Sequence, residues 1–150
     1  SAASDVYKRQ AHSKGLLARG VDGDFTLERP DNSRYVLHDY TKGPAPVGGL
    51  WDIGWSCEFL EHVSEQYMDN YMDTFGKCKR IVVTHAFPGQ GGHHHVNEQD
   101  SNYWFQQFGK RGFLLDMVTT DEVRKASTMA QRYIRVSGLV FFNSNLNWQV

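Results

Sequence analysis

The feature that most restricts the fold is a short run of apolar and β-branched residues in the middle of the chain, Ile81-Val82-Val83-Thr84-His85-Ala86. Such a run, in which polar and apolar positions do not alternate, is typical of a strand that is buried on both faces. Strands of that kind occur in parallel sheets whose two faces are covered by helices. We therefore expect a single α/β domain with a mostly parallel sheet.

Segments with the periods of strands and helices alternate on both sides of this run. The predicted strands are 16–22, 35–38, 50–56, 81–86, 113–118 and 139–142, and the predicted helices are 58–75 and 100–110. The longer helix is predicted from an apolar stripe at Leu60, Val63, Tyr67, Tyr71 and Phe75. A further helix is expected to begin at a capping box formed by Thr119 and Glu122. Residues 77–80 are expected to turn the chain before the central strand.

The composition gives no reason to expect a nucleic acid or a membrane as partner. The net charge is -1, and the sequence contains no basic run that could follow a phosphate backbone. No segment approaches the roughly 18 apolar residues that a membrane span needs. Two cysteines, Cys57 and Cys78, are too few for a disulfide framework, so we expect reduced thiols and a cytoplasmic protein.

The first ten residues, SAASDVYKRQ, are predicted to be a non-native or disordered tail. No apolar segment follows their charges, so they do not form a signal peptide. The string DVYKRQ looks like a translated sequencing adapter, and a disordered native terminus would leave it outside the fold equally well. The domain is accordingly expected at 11–150.

Acidic residues stand where the predicted strands end, which is where open α/β sheets bind their ligands. The first strand ends in Gly20-Val21-Asp22, the second is followed by His38-Asp39-Tyr40, and the third continues into Glu58-Phe59-Leu60-Glu61-His62-Val63. This series resembles the class I, Rossmann-like S-adenosylmethionine-dependent methyltransferases, in which these motifs occur in the same order. The resemblance covers about 15–143, and the E-x-x-E-H stretch is its most specific part.

The resemblance implies a Rossmann-like methyltransferase sheet, mostly parallel with an antiparallel last strand. The family's first strand and its glycine-rich loop should precede Gly20 and are not found there, so 11–150 is expected to be a partial methyltransferase domain. S-adenosylmethionine would be bound by Asp22, Gly23, Asp39, Tyr40, Trp55, Ser56 and Cys57. Asp22 would accept hydrogen bonds from the ribose hydroxyls. Both aspartates could instead be ordinary turn residues, and Trp55 could belong to the core.

The candidate metal ligands are Glu58, Glu61, His62 and His95. Spacings of three and four would place the first three on one face of a helical first turn, and the loop 88–97 would bring His95 to them. Its neighbours His93 or His94 could serve in its place. Two carboxylates and two imidazoles suit a divalent ion such as Mg or Mn. The set is similar to that of small-RNA 2′-O-methyltransferases and quinone-pathway O-methyltransferases, although Glu61 and His62 could simply support a helix start.

The implied function is methyl transfer to a small-molecule or sugar acceptor, with oxygen as the expected acceptor atom. His85 follows the central strand and is the candidate general base, since an imidazole titrates near neutral pH; a structural histidine is the alternative. Two other functions stay open at this point. The chain could be a non-catalytic truncated or decayed fragment of such an enzyme, or it could be a nucleotide-binding oxidoreductase.

Overall fold

The computed structural model describes residues 10–26 and 34–146, which form an α/β fold with two sheets. Residues 1–9 of the predicted tail lie outside the described residues, and residue 10 belongs to a helical turn at 10–13. The strands are β1 (Gly20–Asp22), β2 (Tyr35–Leu37), β3 (Trp51–Ser56), β4 (Cys78–Val83), β5 (Phe113–Leu115) and β6 (Leu139–Asn143). The α-helices between them are α1 (Met68–Phe75), α2 (Ser101–Gly109), α3 (Met117–Ala126) and α4 (Tyr133–Ser137).

The larger sheet has four strands in the order β3-β4-β6-β5. β3 and β4 are parallel, whereas β6 is antiparallel to both of its neighbours, so β3, β4 and β5 share one direction. The prediction of an antiparallel last strand is confirmed. Gly54 lets β3 approach β4 closely, because a Cβ at this position would lie only 2.9 Å from Cys78 Sγ and 3.0 Å from a methyl carbon of Ile81.

The smaller sheet consists of β1 and β2, which pair in parallel through Val21 and Val36. It packs on the larger sheet through a small apolar cluster: Val36, Ala45 and Val47 are buried, with Val21, Tyr40 and Trp51 against them. Because Trp51 is the first residue of β3, this cluster joins β1 and β2 to the start of β3.

The main core lies between the larger sheet and helices α1 and α2. Trp104, Phe108 and Phe141 are fully buried there, and the rings of Phe108 and Phe141 stack with their centroids 4.5 Å apart. Removing each such aromatic side chain from water contributes on the order of 1.5–3 kcal/mol. The central run Ile81–Ala86 is buried at every position, as its apolar character predicts.

The long helix predicted at 58–75 is wrong in its first half. Residues 60–62 and 65–67 form two separate 3-10 turns, and α1 begins only at Met68. Glu58 has a φ of 53°, and Val63 has an extended backbone with φ −115° and ψ 121°, so an α-helix cannot pass through them. The predicted apolar stripe is nevertheless buried at Leu60, Val63, Tyr71 and Phe75 and partly buried at Tyr67.

Several predicted boundaries need correction. The strand predicted at 16–22 begins only at Gly20, and the strand predicted at 81–86 ends at Val83. Residues 78–80 already belong to β4 and do not form a turn. The predicted strand 113–118 ends at Leu115, because Asp116 caps α3 by accepting from the N–H of Thr119 at 3.0 Å. That carboxylate also accepts from the Thr119 hydroxyl at 2.7 Å, so Thr119 lies inside the helix and is not its N-cap. The capping box proposed at Thr119 and Glu122 is therefore wrong.

No helix within 10–26 and 34–146 combines the length and the apolar character that crossing a membrane requires. Cys57 and Cys78 are both within the described residues and are not joined by a disulfide.

Candidate metal centre

Two segments meet beyond the carboxyl ends of β3 and β4, because these strands are parallel neighbours. Thr84, directly after β4, donates its N–H to the Ser56 carbonyl at 3.0 Å and so extends the pairing by one residue. The Thr84 hydroxyl then accepts from the Glu58 N–H at 2.8 Å and donates to Glu58 Oε1 at 3.1 Å. These bonds fix the turn that leads from β3 to Glu61.

The loop after β4 is attached to this turn by its backbone. The N–H groups of Val96 and Asn97 both donate to the main-chain carbonyl of Glu61, at 2.8 and 3.1 Å. The loop reaches this position through a left-handed residue, His94, whose φ is 60°. As a result, His95 lies beside the 3-10 turn that carries Glu61 and His62.

Three of the four predicted metal ligands come together here. One ligand atom from each of Glu61, His62 and His95 lies within 4.8 Å of the others. Glu58 is not in this group, and its carboxylate accepts from the Thr84 hydroxyl. Of the three adjacent histidines His95 is the one in the group, and the three side chains lie on a 3-10 turn and a loop rather than on one face of an α-helix.

The carboxylate of Glu61 is fully buried, and neither of its oxygens has a hydrogen-bond partner among the described residues. Burial, with a smaller contribution from the negative charge of Glu58, raises the pKa of Glu61 to about 7. A buried carboxyl group is either protonated or compensated by a cation, because burying an uncompensated charge is costly. At neutral pH a divalent ion could therefore displace the proton.

Both histidines are oriented by their Nδ1 atoms. His95 Nδ1 lies 2.8 Å from Glu98 Oε1, and His62 Nδ1 lies 3.3 Å from the main-chain oxygen of His94. A carboxylate and a carbonyl only accept, so each Nδ1 is the donor in its hydrogen bond, and in a neutral ring the lone pair is then on Nε2. Partial desolvation lowers the pKa of His62, which keeps this ring neutral at pH 7. Neutral imidazole is the form that binds metals.

Two residues that the sequence reasoning missed support His95. Glu98 accepts its proton, and Gly92 leaves room for its ring, since a Cβ at position 92 would overlap the Cε1 and Nε2 atoms of the imidazole. The signal for Glu98 was present in the sequence: metal-binding histidines usually bond a carboxylate or carbonyl, and Glu98 follows His95 by three residues. The need for glycine at position 92 depends on the loop conformation and has no such signal.

The residues predicted to bind the adenosine and ribose lie after β1 and β2 in ordinary turns. Asp22 accepts from the Asp24 N–H at 2.9 Å, and Asp39 caps the 3-10 turn at Tyr40–Lys42 by accepting from the Thr41 N–H at 2.9 Å. That backbone hydrogen bond lowers the pKa of Asp39, so the carboxylate is ionised at neutral pH. Gly23 is exposed, and a side chain there would lie 3.3 Å from the His38 carbonyl.

Tyr40, the other predicted residue of this region, is built into the packing. Its hydroxyl lies 2.9 Å from Thr74 Oγ1, and its ring makes edge contacts with Phe59 and Tyr71. Burial raises the pKa of Tyr40, so the phenol is neutral. These contacts connect the turn after β2 to helix α1.

The end of β3 presents residues of different exposure. Trp55 is 45% exposed, so core packing does not account for it. Ser56 is buried and its hydroxyl has no hydrogen-bond partner among the described residues, and Cys57 is half-buried. An exposed aromatic ring beside a buried hydroxyl is compatible with the predicted cofactor contacts, which stay a prediction.

His85, the predicted general base, is 1% exposed and lies under the surface. Its Nε2 lies 2.9 Å from Ser101 Oγ, and its ring contacts Phe87 and Trp104. Desolvation lowers the pKa of His85, so the ring is neutral at pH 7. A base must reach the proton that it removes, and these surroundings favour the structural alternative.

Comparisons of the chain with models of known protein families, with curated proteins and with solved structures gave no match. The geometry described above is therefore the basis for a functional proposal.

Proposed function

We propose that this chain binds a divalent metal ion through Glu61, His62 and His95 and serves in methyl transfer from S-adenosylmethionine to an oxygen acceptor. The observation that carries the metal proposal is the buried Glu61 carboxylate, which has no hydrogen-bond partner among the described residues and stands beside two imidazoles. A cation would supply the compensating charge that the described residues do not.

The donor set fits a metal that accepts both nitrogen and oxygen. Two imidazoles and one carboxylate leave coordination positions for substrate oxygens. Such donor sets occur with Mn, Fe, Co, Ni and Zn as well as with ions that prefer oxygen ligands. When bound, the ion would lower the pKa of an acceptor hydroxyl and make it a better nucleophile. Glu61 and the two Nε2 atoms would hold it, and His62, which is exposed, lies on the solvent side of the site.

Strand order supports the methyltransferase part of the proposal. A Rossmann-like methyltransferase sheet has an antiparallel last strand inserted beside a run of parallel strands, which is the arrangement of β6 beside β4 and β5. In that family the first strand lies between the strands that correspond to β1 and β3, and here those two strands belong to separate sheets. We propose that the two sheets are the two halves of such a sheet.

In this proposal the residues of the chain act by holding and aligning two substrates. Asp22 and Asp39 would bind the ribose and adenine of the methyl donor, Trp55 would lie against the adenosine, and the metal ligands would fix the acceptor. S-adenosylmethionine supplies an electrophilic methyl group, so correct alignment of the acceptor provides most of the acceleration. The acceptor class is a hydroxyl of a small molecule or a sugar.

The metal proposal is tested by calorimetric titration of the chain with Mn²⁺ at pH 7.5. We expect one ion per chain, and at least about tenfold weaker binding in Glu61→Gln and His62→Gln, which is a loss of about 1.4 kcal/mol or more. His93→Gln is the matched control, because His93 lies in the same loop but outside the cluster. An absence of binding at millimolar Mn²⁺, or equal loss in the control, would refute the site.

The methyl-donor proposal is tested separately with S-adenosylhomocysteine and NAD⁺. We expect weak binding of S-adenosylhomocysteine, because the glycine-rich loop that holds the methionine end in the family is not found before Gly20, and no binding of NAD⁺. Binding of S-adenosylhomocysteine should be weaker still in Asp22→Asn but not in Asp52→Asn, whose carboxylate is exposed and paired with Lys79. Binding of NAD⁺ in preference would support an oxidoreductase instead. If neither compound binds, the methyl-donor assignment fails while the metal proposal can still stand.

A further inference from the structure

The carboxylate of Glu98 connects the metal centre to the loop that carries it. One oxygen, Oε1, lies 2.8 Å from His95 Nδ1, and the other, Oε2, accepts from the Gly89 N–H at 2.8 Å. Both side chains of the pair are largely shielded, with 10% of His95 and 18% of Glu98 exposed. We propose that Glu98 is a positioning residue that sets the tautomer of His95 and so prepares it for the metal; this inference rests on the proposed metal function.

The hydrogen bond between His95 and Glu98 joins an imidazole to a carboxylate. A neutral imidazole has one N–H and one lone pair, and either nitrogen can carry the proton. An ionised carboxylate cannot donate, so the nitrogen that faces it must be the protonated one. The Gly89 N–H donates to Oε2 and His95 Nδ1 faces Oε1, so the group accepts on both of its oxygens, as an ionised carboxylate does. The tautomer with its lone pair on Nε2 is therefore the favoured one at His95.

The ring of His95 is also fixed in direction, so the lone pair cannot turn away. It meets the ring of His62 edge to face, with centroids 4.9 Å apart, and its Nε2 edge lies against Gly92. The Glu98 bond to Gly89 ties the carboxylate to the start of the same loop. Glu98 thus links the tautomer of His95 to the loop conformation, and the contacts with His62 and Gly92 fix the direction of the ring.

The substitution that isolates this role is Glu98→Gln, which keeps the shape and removes the charge. A glutamine has one accepting oxygen and one donating NH₂ group, whereas Glu98 accepts on both sides. If the amide oxygen keeps the Gly89 N–H, the NH₂ faces His95 Nδ1 and favours the tautomer with the proton on Nε2. If the amide is flipped, its NH₂ group faces the Gly89 N–H; both are donors, so the hydrogen bond to Gly89 is lost.

Binding of Mn²⁺ to Glu98→Gln, measured by calorimetry, is the first test. We expect the affinity to fall about 10- to 100-fold, as is usual when the outer partner of a metal-binding histidine is lost. Glu122→Gln, an exposed residue of α3, is the control and should bind as the wild type does. Unchanged affinity in Glu98→Gln would overturn the inference, provided that the wild type binds Mn²⁺. If the wild type does not bind, the proposed metal function has failed instead.

A second measurement does not depend on the variant's folding. Nitrogen chemical shifts of the imidazole rings in the metal-free wild type, assigned by the signals lost in His95→Gln, report which nitrogen is protonated. We expect Nδ1–H with an unprotonated Nε2 at His95, and a shift toward Nε2–H in Glu98→Gln. A wild-type ring with its proton on Nε2 would overturn the inference whatever the metal affinity.

Discussion

Glu61→Gln should change how the stability of the metal-free chain depends on pH. Burial raises the pKa of Glu61 from its ordinary value of 4.5 to about 7 in the folded chain. The unfolded chain therefore loses this proton at a lower pH than the folded chain does. The stabilisation from the protonated carboxyl is complete below about pH 4.5 and is lost as the pH rises through 7. A shift of this size corresponds to about 3 kcal/mol.

The assay is urea unfolding in the presence of a chelator at pH 4.5 and pH 8 for the wild type and for Glu61→Gln. The wild type should lose about 3 kcal/mol more than the variant between these pH values, because glutamine does not titrate. Groups that do not interact with Glu61 titrate equally in both proteins and cancel in the difference. Mn²⁺ at 100 times the wild-type Kd should raise the stability of the wild type at pH 8 by about 2.7 kcal/mol, and that of the variant, whose Kd is expected to be at least about tenfold higher, by no more than about 1.4 kcal/mol. Equal pH dependence in the two proteins would refute the reasoning.

Three further predictions concern the loop, a helix cap and the core. Gly92→Ala should weaken Mn²⁺ binding in calorimetry, because its methyl group would displace the ring of His95; unchanged affinity would contradict the described loop conformation. Asp116→Ala should lower the free energy of unfolding by about 1–2 kcal/mol in urea titrations, since it removes the cap of α3, and a loss near zero would speak against that cap. Phe141→Ala should lower the free energy of unfolding by about 3–5 kcal/mol in the same assay, because the Phe141 side chain is fully buried. Phe105 is 48% exposed, so Phe105→Ala should cost under about 1 kcal/mol. Similar losses in the two variants would contradict the assigned core.

The sequence predicts the elements whose pattern is strong and misses those that depend on single backbone conformations. The buried run at Ile81 and the apolar stripe ending at Phe75 are visible as periods, and both are buried as expected. The break before α1 is not visible, because it follows from the left-handed φ of Glu58 and the extended backbone of Val63. No residue preference marks these positions, since left-handed conformations usually favour glycine or asparagine.

The part of the candidate site that can be predicted from the sequence is the part that follows from the positions of the strand ends. Glu61, His62 and His95 meet because β3 and β4 are parallel neighbours, and a sequence can suggest that arrangement. The hydrogen bond between Glu58 and Thr84 and the packing of the His95 ring on Gly92 could not be predicted in this way. The first contact joins residues that are far apart in the sequence, and the second depends on the conformation of a loop. Neither leaves a pattern that can be recognised in a single sequence.

The attachment of the loop after β4 depends on the peptide carbonyl of residue 61 and not on its side chain, since Val96 and Asn97 donate to that oxygen. Any residue that keeps the backbone of the turn would hold the loop in the same way. The backbone contact that holds the loop and the proposed ligand side chain are therefore separable, and we expect an exchange of Glu61 for aspartate, histidine or glutamine to alter metal binding at the proposed site without detaching the loop. Such a division makes this corner of the molecule a suitable starting point for redesigning metal selectivity one side chain at a time.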